Sequence, residues 1–92
     1  MQEDDPLGAL RREIDDVDAA LVALLARRMR IVDRVIAVKK STGVAAVVPE
    51  RIEAVVARVR ALAERDGVPP DMAEKLWRLL IAETIAYEQQ SL

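Results

Sequence analysis

An arginine stands where the pattern of this chain calls for an aliphatic side chain. Leu10, Ile14, Val17, Leu21, Leu24, Arg28, Ile31, Val35 and Val38 follow one another in alternating steps of four and three. Arg28 is the charged member of that row. A guanidinium on an apolar seam is costly unless something neutralises it. Its neighbours one helical turn away, Leu24, Leu25, Ile31 and Val32, supply no acid. The counter-charge comes either from a structural ion pair with another segment or from a bound anion, and the pattern by itself leaves both readings open.

Four other polar positions bear on that choice. Lys39 lies eleven residues after Arg28, which returns it to nearly the same helix face about 16 Å further on. Two cations on one stripe, with Val32 and Val35 between them, can bracket a compact anion; the plainer role for Lys39 is favourable placement at a helix C-terminus. Arg11 sits beside Leu10, about 25 Å from Arg28. It is too far to serve the same small ligand within one chain, but an antiparallel second copy brings it close; alone it reads as a solvated surface residue. Glu88 falls on the apolar stripe of Trp77, Ile81 and Ile85, one turn beyond Thr84. A carboxyl group there favours its neutral form or seeks a cation, and Lys39 is a candidate; a solvated helix-end carboxylate is the alternative. Arg51 opens a helix against the favoured dipole sign, which an anionic ligand would explain.

Composition narrows the chemistry. The 92 residues contain no cysteine and no histidine. Disulfides, thiolates, the usual zinc sites and Ser–His or Cys–His pairs are thereby excluded. Neither a metal nor a cofactor is expected. The 14 basic and 16 acidic side chains leave a formal charge of -2, without the basic excess of a nucleic-acid binder. One Trp, one Tyr and no Phe supply little for base stacking. Every long apolar stretch is broken by Arg or Asp, so no membrane span is expected. The acidic start, Met1-Gln2-Glu3-Asp4-Asp5, is unlike a secretory signal. A soluble, cytoplasmic protein is the expectation.

Three helices must hold these residues. Asp5 suits an N-cap and Pro6 a first turn. No Pro follows until Pro49, and no Gly lies between Gly8 and Gly43. The four-three spacing predicts one long first helix, about 6–41, packed along a partner helix and stopped by Ser41, Thr42 and Gly43. GVAAVV, residues 43–48, has no strand to pair with and reads as a loop lying over something. A second helix is expected over 49–66, with Ile52, Val55, Val56, Val59, Leu62 and Ala63 on its apolar face and Gly67 as its stop. Pro69 and Pro70 precede a third, about 70–90. The first helix would run roughly 50 Å, more than the shorter two can cover. We therefore expect a single all-α, three-helix domain over 1–92 that forms an intertwined homodimer. The alternative is a monomeric hairpin with a frayed first helix.

These residues resemble a known family. The segment LGALRREIDDVDAALVALLARRMRIVDRVIAVKK is similar to the first helix of AroQ-class chorismate mutases, with LRxxID near its start, LLAxR in its middle and a lysine at its end. PERI and LWRLLIAETIAYEQQ resemble the second and third helices. No single motif is very specific; Arg11, Arg28, Lys39, Arg51 and Glu88 together at these spacings are more so.

The resemblance implies a role for each position. Arg28 and Arg51 would bind a substrate carboxylate or its surroundings, and Arg11 would reach a carboxylate across the dimer. Lys39 would contact a carboxylate and the ether oxygen, Glu88 would stand where many relatives have a glutamine that donates to that oxygen, and Thr84 would sit beside the substrate. Val35 would line the site with Val48 and Ile52. The implied reaction is the Claisen rearrangement of chorismate to prephenate in the shikimate pathway of aromatic amino acid biosynthesis. It requires no nucleophile, metal or cofactor, only a held conformer and stabilised charge on the breaking C–O bond. Three features depart from the typical mutase. Val48 and Ile52 are aliphatic where acids usually meet the ring hydroxyl. PERI and its apolar neighbours look more like isochorismate-pyruvate lyases. Glu88 must be protonated to donate a hydrogen bond, so activity is expected to rise toward acidic pH. The rivals are therefore the lyase, a mutase of 4-amino-4-deoxychorismate, a mutase that needs an activating partner enzyme, and a helical interaction module without activity.

Overall fold

The computed structural model describes residues 5–92. Residues 1–4, most of the acidic stretch weighed above against an export signal, lie outside them. The described residues form three helices and no strand: α1 (Pro6–Thr42), α2 (Pro49–Asp66) and α3 (Pro70–Ser91). The fold is all-α, and the observed ends differ from the expected ones by one residue at α1 and one at α3. Contacts divide the chain into two compact units, Met1–Asp33 and Arg34–Leu92, with α1 contributing to both.

The first unit is the larger part of α1. Its start is capped as the sequence predicts, the Gly8 N–H donating to the Asp5 carboxylate and the Ala9 N–H to the Asp5 carbonyl. The apolar row lies open in the single chain: Leu10, Ile14, Val17, Leu21, Leu24 and Ile31 retain 46–59% of their full exposure. A stripe of that length ordinarily marks an association surface.

The second unit holds the end of α1, the connection and the α2–α3 hairpin. Ser41 and Thr42 hydroxyls both donate to the Val38 carbonyl, and the Gly43 N–H donates to the Lys39 carbonyl at 2.8 Å. Gly43 has φ of 75°, a left-handed turn that a side chain with a Cβ resists. Residues 43–48 then form a loop, and Val48 begins α2 by accepting the Arg51 and Ile52 N–H groups on its carbonyl. Pro49 occupies the first turn, where its missing N–H costs nothing. Gly67, φ 81°, closes α2, and its N–H and that of Val68 both reach the Ala63 carbonyl.

Helices α2 and α3 pack against each other through buried Val59, Ala63 and Ala73, with Val55 and Trp77 half-buried against them. An exposed ion-pair lattice runs across the same seam. Arg60 pairs with Asp71 and Glu74, and Arg78 with Glu53 and Glu74. Hydrogen bonds and charge from Arg78 hold the Glu53 carboxyl below its ordinary value, and those from Arg78 and then Arg60 do the same for Glu74.

Candidate functional site

Two charged groups leave solvent in the second unit, and they meet. Lys39 is carried by the last full turn of α1 and Glu88 by the last turn of α3. The Lys39 ammonium donates to Glu88 Oε1 at 2.8 Å, with side-chain exposures of 15% and 8%. At that burial an unpaired charge would be expensive, so the pairing is what admits both to the interior. The same ammonium donates to the Ala46 carbonyl at 3.1 Å. Two of its three N–H bonds are thus committed to protein acceptors, which leaves one for a ligand.

Thr84 lies one turn before Glu88 and is buried with it. Its hydroxyl donates to the Leu80 carbonyl at 2.7 Å. Val35, one turn before Lys39, is exposed. Val48 and Ile52 are half-buried at the start of α2, and Arg51 between them is exposed. Lys39, Glu88 and Ala46 are the groups brought into direct contact. Arg28 and Arg11 belong to the first unit; Arg28 is half-buried, Arg11 is exposed, and each has an interaction partner.

The sequence pointed to Lys39 as the cation for Glu88, and these are the side chains that pair. It missed the Ala46 carbonyl. A backbone acceptor has no side-chain signature, and the only hint was an apolar hexapeptide too short to be a paired strand. Among the described residues no group of three or more acids could hold a metal ion, and no helix is long and apolar enough to cross a membrane. An apolar hollow of about 180 Å³ on the hairpin is lined in part by Val59, Ala63, Ala73 and Trp77. It shares no residue with the Lys39–Glu88 pair.

Chemically, this corner of the molecule offers an ammonium with a spare N–H, the carboxyl group paired with it, and a hydroxyl one turn away. It suits the binding and polarisation of an oxygen atom on a small anion.

Residues 10–89 match the family described as chorismate mutase type II. The chain is 44% identical over 82 residues to a T-protein of Enterobacter agglomerans, covering 89% of this chain and 22% of that protein. It thus spans about a fifth of that relative's length. A chorismate mutase of Methanocaldococcus jannaschii is 28% identical over 86 residues, covering 94% of this chain and 87% of the relative. A 4-amino-4-deoxychorismate mutase of Streptomyces pristinaespiralis is 34% identical over 86 residues, covering 94% and 67%.

Proposed function

The chain belongs to the chorismate mutase type II family, and from that premise we propose that it rearranges chorismate to prephenate without cofactor, in a homodimer whose sites take residues from both chains. The observation that carries the reading is the Lys39–Glu88 pair, 2.8 Å apart, formed where α1 and α3 end. In the rearrangement the ether C–O bond breaks as a C–C bond forms, and negative charge grows on the ether oxygen. The spare N–H of Lys39 stabilises that charge, and Glu88, once protonated, donates to the same oxygen. Arg28 and Arg51 hold the substrate carboxylate and its surroundings, and Arg11 of the second copy reaches a carboxylate. Val35, Val48 and Ile52 shape the apolar wall, and Thr84 stands beside the ring.

The open row from Leu10 to Ile31 supports the dimer, since an apolar stripe of that length seeks a matching one. A solution in which the purified protein remains monomeric at micromolar concentration would remove this part of the proposal. A second substrate reading has its own support. The Streptomyces relative is named for 4-amino-4-deoxychorismate, and aliphatic Val48 and Ile52 omit the acids expected to meet a ring hydroxyl. Isochorismate is the third candidate, on the strength of the PERI segment. Incubating the protein separately with chorismate, isochorismate and 4-amino-4-deoxychorismate, and identifying the products, decides among them. Prephenate from chorismate is the expected result. No turnover of any of the three would favour an interaction module or a requirement for an activating partner enzyme.

A further inference from the structure

We propose that the Ala46 carbonyl is a positioning group for Lys39, so that residues 43–48 form a strap fastened to the half-buried ammonium rather than a passive connection. Its bearing on turnover rests on the reading given above; the strap itself does not. Lys39 Nζ reaches Ala46 across seven residues at 3.1 Å and Glu88 across forty-nine at 2.8 Å. These two acceptors lie on separate elements, the connection and α3. Together they fix the ammonium between them and dictate where its third N–H points. A lysine on a four-carbon stem is otherwise free to rotate; two fixed acceptors convert it into a directed donor. The strap also depends on the lysine. Among the described residues, no backbone N–H from Val44 to Val48 is engaged in the turn and cap bonds of this region, which bracket the strap at Gly43 and at Arg51. Between those ends the ammonium is its polar anchor to the rest of the unit.

The bracketing conformation at Gly43 gives a handle on the strap that leaves Lys39 and Glu88 in place. A Cβ at Gly43 meets nothing within 4 Å, so a substitution there acts through the positive φ of 75° alone. Asparagine tolerates that conformation and valine does not.

Native-state proteolysis with elastase, which cleaves after small aliphatic residues such as those of Val44–Val47, reads the fastening directly. Lys39→Met should raise the cleavage rate within this segment about tenfold or more through local opening, with Lys39→Arg in between. Because Lys39→Met leaves Glu88 buried without its cation, the double variant Lys39→Met/Glu88→Leu repeats the test with no orphaned charge, far-UV circular dichroism verifying the helices. Equal cleavage rates in wild type and the folded double variant would overturn the strap. Turnover reads the positioning. Gly43→Asn should keep kcat near that of wild type, and Gly43→Val should lower kcat about tenfold with a smaller change in KM. A Gly43→Val protein that is cleaved faster yet turns over normally would overturn the positioning role. If wild type turns over none of the three acids, the functional reading fails while the elastase comparison still decides the strap.

Discussion

At the residue scale the molecule is defined by where it tolerates charge. Glu88 is buried because Lys39 meets it, and the pair presents a carboxylate where hydrogen-bond donation to an ether oxygen requires a carboxylic acid. Glu88→Gln, which donates without first being protonated, should therefore raise turnover at neutral pH, as a steady-state assay would show. A Glu88→Gln protein with turnover below that of wild type would refute Glu88 as a donor. Lys39→Ala and Arg28→Ala should each lower kcat by about 10²–10³-fold without altering the mass measured by analytical ultracentrifugation. If Arg28→Ala instead changes the association state, that arginine serves structure. The sequence made the type and stripe of these residues readable, since charge on an apolar face stands out against its neighbours. It could not reveal that Arg28 has a partner within the structure, because the residues three and four positions from it are all apolar.

At the scale of elements, the hairpin of α2 and α3 has a small apolar seam and a charged surface lattice, and the two respond to different perturbations. Ile81 is 9% exposed, and Ile81→Ala should cost about 2–5 kcal/mol of stability in urea titrations. The lattice is exposed and contributes modestly, but it has a signature in pH. The carboxyls of Glu53 and Glu74 are held below their ordinary 4.5 by Arg78. Their contribution is complete above 4.5 and disappears as acid protonates them in the folded state. Arg78→Ala should therefore lower Tm slightly at pH 7, and the difference should vanish on acidification well below 4.5. Helix limits were legible because their punctuation is chemical: Asp5 with Pro6, Gly43, Pro49, Gly67 and Pro70 mark them to within a residue. The Arg78 lattice was not, since Glu53 and Arg78 are twenty-five residues apart and meet only once the hairpin packs.

At the scale of the whole molecule, the unanswered apolar row of α1 and the two arginines near it argue for sites shared between copies. Arg11→Ala and Arg28→Ala chains should each be inactive alone. Mixed under conditions that exchange subunits, they should regain up to about a quarter to a half of wild-type turnover if one intact site forms per mixed dimer. Confirmed exchange with no recovery would exclude a shared site. Replacing Leu21 by Glu, in the middle of the exposed row, should shift the protein to smaller species in ultracentrifugation.

Trp77 has a consequence outside chemistry altogether. It is the one tryptophan in the chain, and it rests against Val59, Ala63 and Ala73 where α2 meets α3. Indole emission shifts to longer wavelength when water reaches the ring, so the protein carries its own optical label at that seam. A red shift during denaturation should time the parting of the hairpin, while α1, which has no aromatic residue, stays dark to the same measurement and is followed by circular dichroism at 222 nm. Transitions that coincide in both signals would identify a single cooperative event; separated ones would show that the long helix and the hairpin melt as different bodies.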